Sequence, residues 1–299
     1  MTNAACQKVH WAQHKADCAA VGRADAIIAR ARTLPCKDAA DSLLKEGREL
    51  RAQARALAAL RVFEEGLAVA EREHGEMHSQ VSLFLTQVGN ALNMLDRFPE
   101  ALAAYERSHA IALQLGGPNH PELAPCLANM AVAHRKMGNT RAAVPVLLEV
   151  IRLRKGDANA DLNTLAASCV NLGQTYGVLN QADEALSCLH EAVAIYRANP
   201  NVDKDGLSRA LFGIGLAQGE AKLFDDALAT YQEVLAIQKT VYGAAHPAVA
   251  NTMHTMAATM RAQGRAAEAS AMGKQAVRAL EQSMGADDPG TVRLRAVWG

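Results

Sequence analysis

The sequence predicts an all-α chain built as a stack of helix hairpins, and three observations carry that prediction. A glycine or alanine recurs at Gly47, Gly89, Ala131, Gly173, Gly215 and Ala257, each 42 residues after the one before; a fixed period of this size is the mark of a repeat architecture. Twelve residues after each mark stands an alanine, at Ala59, Ala101, Ala143, Ala185, Ala227 and Ala269. Half of the 299 residues are hydrophobic but only 4% are aromatic. With alanine abundant, that balance favours closely packed helices over a sheet core.

Four residues beyond each alanine come Phe63, Tyr105, Leu147, Leu189 and Tyr231, with Gly273 the exception in the last unit. A small residue lets two antiparallel helices approach closely, and a large one fills the gap beside it. Each of the six units therefore reads as a helix hairpin. Turn signals separate the hairpins: Gly116-Gly117-Pro118-Asn119, Pro200-Asn201, and Gly243 through Pro247. Pro99 falls in a first helical turn, where its missing N–H costs little. Pro145 falls about one turn into a second helix, where a mild kink is expected. A lone hairpin cannot bury its apolar stripe, so neighbours should stack into one continuous core and a curved solenoid.

Val88-Gly89, Leu172-Gly173-Gln174-Thr175-Tyr176, Asp183-Glu184-Ala185-Leu186 and Tyr105 together resemble the tetratricopeptide signature of leucine-glycine, tyrosine, then alanine and an aromatic. The 42-residue period, with Gly117-Pro118-Asn119-His120-Pro121-Glu122 and Gly243-Ala244-Ala245-His246-Pro247, is similar to the kinesin-light-chain-like subclass. The resemblance covers residues 38–284 and implies a right-handed α-solenoid, or superhelix, of six antiparallel repeats. His-Pro is missing from the third and fourth linkers, and this sequence shows no heptad coiled coil of the kind that joins a motor light chain to its heavy chain. Residues 19–37 are expected as a helical linker, and 285–299 as a truncated seventh repeat or a capping helix.

Residues 1–18 contain Cys6, Trp11, His14 and Cys18 and resemble the closing segment of a MYND-type zinc finger. The resemblance implies that Cys6 serves one zinc ion while His14 and Cys18 serve another; the partner expected at position 2 is Thr2. A structural zinc needs four ligands in a tetrahedron. Two readings stand: an incomplete site that binds zinc with help from His10 or another chain, and a metal-free helical remnant. The other four cysteines, Cys36, Cys126, Cys169 and Cys188, are too sparse for a disulfide framework and read as reduced thiols filling helix positions.

In tetratricopeptide solenoids the first helix of each hairpin lines a concave groove. The resemblance assigns groove positions two residues before each mark, and one and four after it. These are Lys45, Arg48 and Arg51 in the first unit; Gln87, Asn90 and Asn93 in the second; Asn129, Val132 and Arg135 in the third; and Asn171, Gln174 and Gly177 in the fourth. Gln87, Asn129 and Asn171 form an amide row at one phase, with a basic stripe at its N-terminal end. Carboxamides both donate and accept, so such a row can pair with the main chain of an extended peptide. The basic stripe would favour an acidic partner. Units five and six offer a smoother surface, including Leu216, Ala258 and Arg261.

No catalytic constellation emerges. His78, His120 and His246 occupy equivalent linker positions and read as turn residues; His109, His134, His190 and His254 are isolated within helices. Neither a phosphate-binding Gly-x4-Gly-Lys loop nor a Gly-x-Ser-x-Gly elbow occurs. Lys+Arg and Asp+Glu both number 31, so no global field draws the chain to nucleic acid or anionic membrane. With no signal core and no apolar stretch of spanning length, a cytoplasmic or nuclear protein is expected. The leading expectation is a non-enzymatic scaffold holding a protein or peptide, with no nucleic acid, membrane or small-molecule substrate. The alternatives are a regulatory arm of a larger MYND-containing enzyme or signalling protein, and a cargo adaptor for a microtubule motor.

Overall fold

The computed structural model describes residues 19–157, 159–199 and 201–299. Every regular element among them is helical. A first helix, α1, covers residues 19–31. Then come α2 (Cys36–Ala52), α3 (Ala56–His74), α4 (Ser79–Met94), α5 (Phe98–Gly116), α6 (Leu123–Lys136) and α7 (Thr140–Gly156). They are followed by α8 (Leu162–Val178), α9 (Ala182–Ala198), α10 (Lys204–Glu220), α11 (Phe224–Tyr242), α12 (Pro247–Ala262), α13 (Ala266–Met284) and α14 (Pro289–Trp298). The chain divides into two compact units, up to Leu153 and from Arg154 onward.

The 42-residue marks sit where the hairpin argument requires them. A side-chain carbon on Gly47 would lie 2.4 Å from the Phe63 ring, on Gly89 2.5 Å from Tyr105, on Gly173 2.8 Å from Leu189, and on Gly215 2.5 Å from Tyr231. The two units whose mark is alanine, at Ala131 and Ala257, carry Leu147 and Gly273 sixteen residues on, neither of them aromatic. The three aromatic residues at that position, Phe63, Tyr105 and Tyr231, each lie against a glycine, as close packing demands.

Each hairpin turn is also the same. Ala54, Asp96, Gly138, Asn180, Lys222 and Gly264 all adopt positive φ, between 56° and 89°, and they too are spaced by 42 residues. The next backbone N–H reaches back to the first helix in every case: Arg55 to Leu50, Arg97 to Leu92, Asn139 to His134, Gln181 to Tyr176, Leu223 to Gln218 and Arg265 to Met260. This is a Schellman closure, which satisfies carbonyls that the helix end leaves free.

The connections between hairpins come in two kinds. Gly75, Gly117, Gly243 and Gly285 end their helices at positive φ, and three residues later a side-chain acceptor follows. His78 Nδ1 accepts from Gln80 N at 3.2 Å, His120 Nδ1 from Glu122 N at 3.3 Å and His246 Nδ1 from Ala248 N at 3.2 Å. At Asp288 a carboxylate oxygen accepts from Gly290 N at 2.8 Å. His78 and His246 are thus the N-caps of α4 and α12, while His120 makes the same bond two residues ahead of Glu122, the N-cap of α6. In the third and fourth linkers, which have no histidine, Asp161 and Asp203 cap α8 and α10 instead. There Asn163 clasps the following linker: its Oδ1 accepts from Asn199 Nδ2 and Asp203 N, each at 3.0 Å, and its Nδ2 donates to Asn201 O.

In the first unit, α1 is a packed element: Ala20, Ala24, Ile27 and Ala31 are buried in the same core as Leu43, Leu50 and Phe63. Arg30, Arg32 and Asp25 pair with Glu46, Glu65 and Arg61 across that contact. Helix α7 continues through Pro145. Second helices of neighbouring hairpins are linked on their outer faces by pairs 36 residues apart: Arg107 with Glu71 in the first unit, and Lys155 with Glu191 and Arg197 with Glu233 in the second. No described helix is long and apolar enough to cross a membrane.

Candidate functional site

The candidate groove residues of the first unit lie on α2, α4 and α6. Lys45 and Arg48 are exposed, while Arg51, Asn90, Asn93, Asn129 and Arg135 are half-buried. Gln87 is 7% exposed. Asn90 is the hub: its Oδ1 accepts from Tyr105 Oη at 2.8 Å and from Asn129 Nδ2 at 2.9 Å. The amide of one hairpin is thereby tied both to its own second helix and to the first helix of the next. The Arg51 charge reaches the same spot, acting on the buried Tyr105 phenol, whose pKa desolvation raises.

Chemical asymmetry marks this face. Helices α4 and α6 contain no carboxylate. Arg30, Arg32, Arg61, Arg97, Arg107 and Arg152, all elsewhere in the first unit, are ion-paired. Lys45, Arg48, Arg51 and Arg135 form no ion pair with any described residue. Burial lowers the Arg135 pKa, an effect no nearby carboxylate offsets. On α4 and α6, Gln87 Oε1, Asn93 Oδ1 and His134 Nδ1 are buried polar atoms without a hydrogen-bond partner among the described residues. Such atoms are costly unless a hydrogen-bond donor meets them.

In the second unit, Asn171 and Gln174 are half-buried on α8 and Gly177 is exposed. The main-chain carbonyl of Asn171 accepts from Thr175 Oγ1 at 2.6 Å. Of the three amides whose phase defined the row, Asn129 bonds to an amide outside it, Asn90. The period located the row, but the partner of Asn129 lies three positions off its phase.

The metal ligands expected at Cys6, His14 and Cys18 lie outside the described residues, as does His10. Among the described residues no group of three or more His, Cys, Asp or Glu could hold a metal ion. The cysteines at 36, 126, 169 and 188 are free thiols. Cys126 Sγ donates to Tyr105 O at 3.1 Å, as expected of a small helix residue. One pairing escaped the reading of isolated histidines: His254 Nδ1 accepts from Trp298 Nε1 at 2.8 Å, across a sequence separation that no local pattern reveals.

A family model described as tetratricopeptide repeat matches residues 80–156, 163–240 and 219–282. An 80-residue stretch is 34% identical to human tetratricopeptide repeat protein 19, mitochondrial, covering 26% of this chain and 20% of that protein. The match thus spans about a fifth of that relative's length. Among solved structures, the apo quorum sensor NprR from B. thuringiensis aligns with a TM-score of 0.69 at 17% identity, over 89% of this chain and 72% of that one. Nearly identical TPR-like repeats ascribed to a Podosopora anserina kinesin light chain align with a TM-score of 0.58 at 19% identity, over 68% of this chain and 96% of theirs. At these identities the two structures share the fold. Together with the family match over more than half of its length, this shows that the chain belongs to the tetratricopeptide repeat family.

Proposed function

We propose that the protein is a non-catalytic interaction scaffold whose first unit holds an extended, acidic peptide segment across α2, α4 and α6. The observation that carries this reading is the set of cations Lys45, Arg48, Arg51 and Arg135, which form no ion pair among the described residues, beside helices α4 and α6 that contain no carboxylate. An arginine held half out of water without a counter-ion is poised to gain from a carboxylate ligand. The half-buried carboxamides of Asn93 on α4 and Asn129 on α6 would pair with the main chain of the same ligand. Amides and cations on these first helices thus suit a strand-like segment with acidic side chains.

The test is selection from a library of fluorescent acidic peptides, followed by binding to the Arg48→Glu/Arg51→Glu double variant. The reading expects selected peptides to lose most of their affinity and to show a steep salt dependence. Unchanged binding by a variant with unaltered helical circular dichroism removes the groove from consideration. Zinc on Cys6, His14 and Cys18 would add a second recognition surface ahead of the repeats; elemental analysis of protein purified without chelator reads it.

A further inference from the structure

The last hairpin breaks the large-small rule at Gly273, and α14 repairs the break. A side-chain carbon on Gly273 would lie 2.3 Å from the indole of Trp298, so the ring fills the space beside α13. Of the ten residues of α14, only Thr291 and Trp298 are buried. One side chain therefore supplies most of the grip. Its indole N–H donates to His254 Nδ1 at 2.8 Å, and the two rings meet edge to face at 5.9 Å and 73°. On the other side, the Arg261 guanidinium stands 4.8 Å from the indole centroid.

This seat depends on a proton. Imidazole Nδ1 accepts a hydrogen bond only while it carries no hydrogen; an imidazolium presents a donor there, opposite the indole donor. The same proton would place a second cation beside Arg261. We propose that α14 is an acid-released latch, in which protonation of His254 breaks its bond to Trp298 and frees the helix from the slot beside Gly273. Release uncovers Met253, Met256 and Met260, which share the apolar cluster with Trp298.

The surroundings favour the closed form at neutral pH. Burial, then the Arg261 charge, lowers the His254 pKa from its ordinary 6.5. The other charged groups on the helices that meet here have partners or are exposed: Arg295 of α14 is bound to Glu281 of α13, Arg293 to Pro289 O, Glu268 of α13 to Arg265, and Lys274 and Arg278 are exposed. Because the docked state holds a depressed histidine, its advantage is complete above the ordinary value and is lost as pH falls through the docked value.

The test uses the full chain and backbone hydrogen exchange of residues 289–298, normalised to intrinsic rates, between about pH 7.5 and about pH 5.5. Protection of α14 should fall by about tenfold while α12 and α13 hold theirs. His254→Gln, whose amide oxygen accepts at either pH, should keep α14 protected at the acid end. Trp298→Phe, which keeps a ring but lacks the donor, should start with weaker protection and show a smaller acid-dependent fall, since burial and Arg261 still act on His254. A flat wild-type profile overturns the latch. So does an equal fall in His254→Gln, or a wild-type pH profile in Trp298→Phe.

Discussion

The ring of Tyr105 lies so close to the α-carbon of Gly89 that a methyl group there would sit 2.5 Å from it. Gly89→Ala should therefore destabilise the first unit by about 1–3 kcal/mol, the usual cost of overpacking. In the third hairpin the mark is Ala131 and the residue sixteen on is Leu147. Adding Tyr105→Leu should recover part of the loss, reduced by the bond from Tyr105 Oη to Asn90. Urea denaturation of the two single variants and the double variant checks this; strictly additive losses would show that the two positions do not share one space.

Lys222 occupies the left-handed turn position that Gly138 and Gly264 fill in other hairpins, with φ at 62°. Its side chain is exposed, so little packing is lost on its removal. A β-carbon in that conformation costs about 1–2 kcal/mol, part of which is returned as the greater entropy loss of a glycine. Lys222→Gly should stabilise the second unit by about 1 kcal/mol. Asn180→Gly should give less, because asparagine tolerates this region better. Thermal unfolding ranks the two, and a destabilised Lys222→Gly would mean that the turn carries no strain.

These two cases show what the residue pattern made legible. The Gly/Ala marks were readable because helix crossing constrains size, and size is written directly in residue type. The turn position was not, because Ala54, Asp96, Asn180 and Lys222 share a backbone angle without sharing a side chain. The Schellman bond that imposes the angle is made entirely by main-chain atoms. The linker histidines were recognised as turn residues from their phase, but their acceptor role needed coordinates. At the candidate site, the repeat register placed Asn90 and Asn129 correctly on first helices. It could not show that they bond to each other, nor that Arg135 has no counter-ion among the described residues, since both depend on side chains brought together from separate hairpins.

His78 caps α4 through Nδ1 and stacks on His74, with ring centroids 4.1 Å apart. His78→Ala should cost about 1 kcal/mol, the worth of an N-cap. Asp288 performs the same task at the same phase of the repeat, so His78→Asp should recover most of the loss despite forgoing the stack. Chemical denaturation at neutral pH distinguishes the variants. An aspartate variant no better than alanine would assign the effect to ring stacking.

Burial lifts the Cys126 thiol to about 11 and the Cys169 thiol to about 12, from an ordinary value of 9.0. The thiolate is the reactive form, so both should resist a disulfide reagent in the folded chain while exposed Cys36 reacts first. The same shifts carry a stability consequence. With the folded value raised, the neutral thiol's contribution is intact below the ordinary value and declines as pH climbs through 9.0 toward the folded values. Buried tyrosines titrate in the alkaline range too, so the informative quantity is the difference between wild type and Cys169→Ala. The wild-type urea midpoint should fall more steeply with rising pH than that of the variant. Parallel slopes, or labelling of Cys169 as fast as Cys36, would show that α8 and α9 do not enclose this thiol.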